Sequence, residues 1–389
     1  MHILIATDTF SPDVNGVAVF SQNLAVGLAE RGHEVLIVTL STTTKDEEEA
    51  YRGVPVFRVR SLPVFFRKDA RVSPPLFLRP ILEEKLHAFR PDIVHIQDPF
   101  PLCWLLLRVA KDKHIPTVGT HHTEVEIFER NIVLPPFMRK YARYLGWAYF
   151  CQFFGEMDVV TSPTASAASS LRKKGFSHPV VPISCGIDLS HFHPRRDTQE
   201  VRMRYALPEK PLLLSVGRLD KDKEVHRILE AVPALLQEID LHLVIVGGGE
   251  DEDRLRKMIT DLHIEQAVTF TGVVSHSDLP GLLSLAECFV IAATAETQSV
   301  ATMEAMACGL PIVAARASAL PELVRDGENG YLFDPEDHSS LVKALSCIFA
   351  DPGHRKRLSE GSLRLIAGHD LRKTVIQYEQ LYYATLPPA

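Results

Sequence analysis

The first forty residues switch between two hydrophobic rhythms. MHILIAT is an apolar run, DTFSPDVNG a polar loop, VFSQNLAVGLAERG spaces its apolar residues three and four apart, and HEVLIVTL is a run again. Short apolar runs between turn residues read as buried strands, and the three-four spacing reads as a helix with one buried face. Gly32 fits the end of that helix. The alternation recurs in PDIVHIQ (strand), PLCWLLLRVAKDK (helix), TVGTHH (strand) and DVVTSPT (strand) leading into ASAASSLRKKG. Strands alternating with helices predict a parallel, doubly wound sheet.

The rhythm breaks at GIDLSHFHPRRDTQEVRMRYALPEKP, which is polar and rich in proline, and then restarts. PLLLSVG, LHLVIVGGG and AVTFTG read as strands, with EVHRILEAVPALLQE, EDEDRLRKMITDL and SDLPGLLSLA as helices. Two similar α/β halves are expected, 1–190 and 191–370, followed by a C-terminal helix at 371–389, in the pattern HDLRKTVIQYEQLYYATL that opens at His369. Paired folds of this kind are expected to take ligands in a cleft at the carboxyl ends of both sheets.

Composition narrows the class. At 389 residues the chain exceeds one ordinary core, which agrees with two domains. The six cysteines lack any C-x-x-C spacing, so neither a disulfide framework nor a zinc site is expected. The start reads as a strand rather than a leader, no apolar run approaches the ~20 residues of a membrane helix, and a cytoplasmic protein is the expectation. Net charge is −7 but uneven: residues 51–150 carry 16 Lys/Arg against 9 Asp/Glu, and residues 201–389 carry 19 against 27. The basic stretch fits either an anionic surface or ordinary solvation. No nucleic-acid motif accompanies it.

Several loops carry candidate chemistry. Gly16, after the first strand, serves either as a turn glycine or as a place where backbone amides meet an anion. The absence of G-x-G-x-x-G argues against a dinucleotide oxidoreductase. VGGGEDEDRL opens its helix with four acids that would repel phosphate, so its glycines read as structural. In GRLDKDKEV, Arg218 and Lys223 follow an apolar strand and suit either a diphosphate grip or a surface ion pair; Asp220 and Asp222 read as a solvated loop. ETQSVATMEAMACGLP places Glu296 on a loop and Glu304 inside a helix, with a neutral gap at whose helix N-terminus a phosphate would sit. Two unrelated acids are the alternative.

Taken in order, SPDVNGV, ISCGIDLSHFHP, GRLDKDKEV, the Glu-x7-Glu pair with EAMACGLPIVA, and ASALPELVRDGENGYLFDPED resemble the retaining nucleotide-sugar glycosyltransferases of family 4. That resemblance implies the GT-B fold, two facing Rossmann-like domains, with a C-terminal helix crossing back to the first. It implies that Glu304 binds the ribose hydroxyls and that Glu296 contacts the transferred sugar. The amides of Thr297, Gln298, Ser299 and Val300 would meet sugar and phosphate, with Val273 in the same donor-binding set. Arg218 and Lys223 would hold the diphosphate as it leaves, Gly16 would approach the same phosphates, and His122 would lie near the donor sugar, with His121 the rival for that place. Gln298-Ser299 stand where many members have Phe-Gly, and Glu224 where Gly or Asn is frequent.

The ETQ variant and DTFSPDVNGV look most like the diacylglycerol glucosyltransferases of the family, which implies a UDP-sugar donor, a membrane-lipid acceptor and retention at the anomeric carbon. The basic, aromatic stretches 65–80 and 135–154 fit contact with an anionic membrane surface, or else a buried helix with a charged outer stripe. Metal is not expected to be essential, and the nucleotide sugar is a substrate rather than a cofactor. A GDP-mannose mannosyltransferase acting on phosphoinositide or a glycan, a UDP-sugar 2-epimerase, and a binding module without chemistry are the other readings.

Overall fold

A computed structural model describes residues 1–13, 15–64, 67–127 and 135–387, with the backbone alone at 67–70, 75–77 and 136–137. By compactness the chain divides into two units. Unit 1 is Met1–Thr123, Lys140–Gly186 and Leu371–Ala389; unit 2 is Glu124–Arg139 and Ile187–Asp370. The sequence boundary at 190 therefore falls at Gly186/Ile187, and residues 124–139 group with unit 2.

Unit 1 is built on β1 (His2–Ala6), β2 (Glu34–Leu40), β3 (Glu47–Tyr51), β4 (Val54–Val59), β7 (Ile93–Ile96), β8 (Thr117–Thr120), β9 (Val159–Ser162) and β10 (Val180–Pro182), with a separate hairpin of β5 (Leu62–Val64) and β6 (Arg67–Val72). The sheet order is β10-β9-β8-β7-β1-β2-β4-β3, parallel except at the β3–β4 pair. After β1 the chain adds strands on one side, then returns to place β7 on the other. The point where order reverses is β1/β7, where the carboxyl ends leave a crevice. Helices α1 (Gly16–Glu30), α2 (Pro75–Phe89), α3 (Pro101–Asp112), α4 (Pro136–Gly155) and α5 (Ala165–Lys173) join these strands.

Local chemistry sets the ends of α1. Asn15 caps it by accepting from the Ala18 amide at 2.9 Å, and Gly32 at φ +88° closes it, where the left-handed region favours glycine. Gly16 is thus the first residue of the helix rather than the turn itself.

Unit 2 repeats the design with β11 (Leu212–Val216), β12 (His242–Val246), β13 (Val268–Gly272), β14 (Cys288–Ile291), β15 (Ile312–Ala315) and β16 (Gly330–Phe333), all parallel in the order β13-β12-β11-β14-β15-β16. Its four inner strands, β11, β12, β14 and β15, are almost wholly buried and mostly apolar, as a sheet covered by helices on both faces requires, while the edge strand β13 is half-buried throughout. The covering helices are α6 (Gln199–Arg204), α7 (Val225–Leu235), α8 (Glu252–Asp261), α9 (Leu279–Leu285), α10 (Val300–Ala307), α11 (Leu320–Leu323), α12 (His338–Ala350) and α13 (Pro352–Ile366). Its order reverses at β11/β14.

The last helix, α14 (Leu371–Thr385), belongs to unit 1. It packs on α1 so closely that a Cβ at Gly27 would stand 2.6 Å from a Val375 methyl. Tyr378 and Tyr382 on α14 are fully buried. The Tyr382 hydroxyl meets His95 Nδ1 at 2.7 Å, His95 Nε2 meets Thr120 Oγ1 at 2.7 Å, and the Tyr378 hydroxyl lies 3.3 and 3.2 Å from Thr120 and Thr161 Oγ1. Each polar tip thus finds a partner inside the core, which lets the ring area contribute fully.

Candidate active site

The sequence candidates separate by unit. Arg218, Lys223, Val273, Glu296 to Val300 and Glu304 lie in unit 2; Gly16, His121 and His122 lie in unit 1.

In unit 2 the β11 and β14 loops meet at the reversal point. Lys223, in the 3-10 turn Lys221–Lys223 after β11, donates to Glu296 Oε1 at 2.7 Å. Burial works against the Lys223 ammonium, yet Glu296 and Asp222 outweigh it and hold its pKa above the ordinary value. Asp222 lies 3.3 Å from the same nitrogen with its side chain fully buried, and Arg218 pairs with buried Asp220 at 2.5 Å. The solvated loop expected for these two acids is therefore corrected. Both are counter-charges that fix the cations, because a strand-end loop packed against its neighbour leaves them no water.

That packing comes from the Gly-rich loop after β12. A Cβ at Gly247, whose φ is +130°, would lie 1.9 Å from the Gly217 carbonyl oxygen, and one at Gly249 would lie 2.5 Å from Leu219 backbone. The glycines let two backbones touch, in line with the structural reading.

Glu224 follows at φ +51°, a left-handed conformation that explains why Gly or Asn suits this place. Arg227 and Thr294 hydrogen-bond its carboxylate and offset the strain. Ser299 answers the other sequence departure. At φ −88° it needs no glycine freedom, and its hydroxyl accepts from the Thr302 amide at 3.2 Å as the cap of α10. The side chains of Thr297, Gln298 and Ser299 are buried, and Val300 is the first helical residue.

Glu304, one turn into α10, is only 8% exposed and makes no side-chain hydrogen bond among the described residues. Burial lifts its pKa to about 8. An acceptor group buried without a donor is costly, and hydroxyl donors from a ligand would relieve it. Val273, on the loop after β13, is 70% exposed.

In unit 1 the two adjacent histidines part. His121 is fully buried among Trp147, Phe150 and Phe154 of α4, with ring centroids 5.5–6.1 Å away, and burial pushes its pKa down to about 4. His122 is half-buried, with Nε2 2.8 Å from Gln97 Oε1 and its ring 4.7 Å from Phe20. His122 is thus the accessible member of the pair.

Sequence reasoning passed over the β1/β7 reversal point. Asp98 accepts from Thr7 Oγ1 at 2.8 Å and from the Asp8 amide at 3.0 Å, while Asp8 accepts from the Cys103 amide at 3.4 Å at the start of α3. Burial, and for Asp8 also the neighbouring Asp98, lifts the two acids to about 7 and about 6. Ligand-type atoms of Asp8, Asp98 and Cys103 lie within 4.8 Å of one another. Raised pKa values favour a held proton, and the backbone bonds make the acids a joint between two strands and a helix. The signal was present: MHILIATD and PDIVHIQD each end an apolar strand on an acid.

The comparisons decide the class. The chain matches Glycosyltransferase Family 4 over residues 14–191 and Glycosyl transferases group 1 over residues 197–364. The chain is a GT-B glycosyltransferase. This hexosyltransferase is 28% identical to sulfoquinovosyl transferase SQD2 of Arabidopsis thaliana, over 94% of this chain and 70% of that protein. It is 28% identical to alpha-monoglucosyldiacylglycerol synthase of Streptococcus pneumoniae, over 97% and 85%. A GDP-mannose-dependent alpha-mannosyltransferase of Corynebacterium glutamicum is 27% identical over 91% and 82%. Among solved structures, sucrose-phosphate synthase of Thermosynechococcus elongatus superposes with TM-score 0.81 at 21% identity, covering 98% of both chains. The Anabaena protein HepE in complex with UDP and glucose gives 0.81 at 17%, covering 99% of this chain and 100% of that one.

Proposed function

We propose that this glycosyltransferase moves a hexose, glucose in the first instance, from a UDP-sugar to a hydroxyl of a membrane lipid such as diacylglycerol, with retention at the anomeric carbon. The observation that carries the donor side is the Lys223–Glu296 ion pair at the β11/β14 reversal point, with buried Glu304, which has no hydrogen-bond partner among the described residues, on the helix that follows. Glu304 takes the ribose hydroxyls, Glu296 the sugar, and Arg218, Lys223 and the N-terminus of α10 the diphosphate. Val273, Thr297, Gln298, Ser299 and Val300 complete the donor set within unit 2.

The chemistry needs little covalent help. The bond from the anomeric carbon to the diphosphate oxygen breaks as the acceptor oxygen bonds the same face. The acceptor proton passes to the departing phosphate. Arg218 and Lys223 stabilise the negative charge that builds up on it. Both cations already sit against acids, so they are oriented before the donor arrives.

The lipid side rests on relatives' names and on the outer face of α4. Tyr141, Tyr144, Leu145 and Tyr149 are exposed there at helical spacing, beside Lys140 and Arg143. Aromatic rings flanked by cations suit an anionic interface. In the stretch 65–80, Arg71 donates to Ser41 and Ser61 and Arg79 on α2 pairs with Glu83 and Asp112; residues 65–66 lie outside the described residues. No described helix is long and apolar enough to cross a membrane.

The test is UDP release from UDP-glucose, with and without diacylglycerol in anionic vesicles. Lipid-dependent release that disappears in Glu296→Ala supports the reading. Release without lipid dependence keeps the enzyme and removes the acceptor. The mannosyl reading, favoured by the Corynebacterium relative, predicts that GDP competes better than UDP. Donor turnover with no acceptor at all would favour the epimerase.

A further inference from the structure

Val273 is the one exposed large apolar side chain at the carboxyl edge of the unit 2 sheet among the described residues. Its loop, 273–278, joins β13 to α9 and leans on the Gly-rich loop, where a Cβ at Gly248 would lie 3.7 Å from a Val273 methyl. A planar nucleobase needs such an apolar surface beyond the ribose, so the position of this loop sets the base end of the donor site. Three exposed polar residues, Ser275, His276 and Ser277, give the loop little core of its own.

The segment leading away from Gly186/Ile187 supplies the anchor instead. His191 and His276 stack face to face with ring centroids 4.1 Å apart and planes 9° from parallel. His191 Nε2 lies 2.9 Å from the His276 carbonyl oxygen. A carbonyl only accepts, so that nitrogen carries the proton and the tautomer of His191 is fixed. Phe192 sets its edge on the His276 ring at 5.5 Å. Arg195 donates to the Ser277 carbonyl at 3.2 Å, and Arg204 and Tyr205 hold Asp278 at 2.6 and 2.9 Å. One segment thus holds three consecutive loop residues, by ring, by backbone and by carboxylate.

We propose that the His191–His276 stack is the positioning device of the base-side loop, so that these two histidines govern nucleobase affinity and discrimination without touching the reacting atoms. The inference rests on the donor reading of unit 2. The ring stack fixes the tilt of the loop while the Nε2 bond fixes its height, and together they hold Val273 at one distance from the base. Loss of either lets the loop drift, and the base loses its wall while the diphosphate grip at Arg218 and Lys223 stays intact.

The experiment titrates UDP and GDP into wild type, His276→Ala and His276→Phe by calorimetry, and measures donor KM and kcat for each. His276→Ala should weaken the preferred nucleotide about threefold to tenfold, the range one aromatic stack carries. Donor KM should rise by a similar factor, kcat should change little, and the ratio of UDP to GDP affinity should move toward one. Phenylalanine keeps a ring to stack and should restore affinity and ratio. The proposal is overturned if wild type binds nucleotide and His276→Ala leaves affinity, KM and ratio unmoved, if the variant lowers kcat alone, or if phenylalanine gives no rescue. If wild type binds neither nucleotide, the donor reading itself fails, and this inference with it.

Discussion

Replacing Glu304 by glutamine isolates what one buried carboxyl costs. Burial without a partner lifts its pKa from the ordinary 4.5 to about 8. Between those values the folded chain holds a proton that the unfolded chain has released. Stability is therefore full below pH 4.5 and is lost as pH rises through 8. At about 1.4 kcal/mol per pH unit, the loss has a ceiling of about 5 kcal/mol. Glutamine keeps the volume and cannot ionise, so Glu304→Gln should escape most of this loss. Both tryptophans, Trp104 and Trp147, lie in unit 1, so intrinsic fluorescence would report the wrong unit. Hydrogen exchange of peptides from α10 and β14, compared at about pH 5 and about pH 9 after correction for intrinsic rates, reads the local stability directly. Ribose hydroxyls would favour the ionised carboxylate, so nucleotide binding by wild type near neutrality should release close to one proton, and by the glutamine variant none. Equal loss of protection in both proteins on raising the pH would refute the argument.

Three further outcomes are expected. Lys223→Ala should cost about a hundred- to a thousandfold in turnover, by analogy with removing one oxyanion donor, measured as steady-state sugar transfer; near-native turnover would remove Lys223 from the mechanism. His121, buried with its pKa down at about 4 against an ordinary 6.5, contributes stability that is present above 6.5 and lost as pH falls through 4; His121→Phe should remove that acid sensitivity and hold or raise the melting temperature, whereas a large drop would show that the imidazole has a structural partner. Gly247→Ala should destabilise unit 2 by about 3 kcal/mol or more, since the added methyl meets the Gly217 carbonyl in a backbone conformation disfavoured for alanine; an unchanged denaturation midpoint would contradict the close approach.

How much was legible in the sequence depended on whether a feature was local. Strand ends followed by chemistry, such as Arg218 after LLLSV and Glu296 after CFVI, stand out because an apolar run and its loop are contiguous. The pairing of Lys223 with Glu296 joins residues on two loops that only the β11/β14 adjacency brings together, and no spacing could show it. The same holds for Asp8 and Asp98. Asp222 misled because DKDKE looks water-soluble residue by residue, whereas the folded loop buries its side chain completely beside the Lys223 ammonium. Strand β3, EEEAY, has little intrinsic strand preference and exists because β4 offers it a sheet edge, with Arg58 opposite Glu47 and bonded to Glu49. The choice between His121 and His122 turned on α4, whose aromatic side chains close over one ring and leave the other half-open.

The return of α14 to unit 1 sets an order of events during synthesis. Unit 2 has almost all its residues in one stretch and can collapse once Asp370 has emerged from the ribosome. Unit 1 begins first yet finishes last. Until Tyr378 and Tyr382 emerge, His95 and Thr120 lack the hydroxyls they meet in the finished core, and the α1 surface at Gly27 is bare to solvent. A chain truncated after Asp370 would keep every residue of unit 2 but leave unit 1 unfinished, with the α1 surface that packs on α14 uncovered.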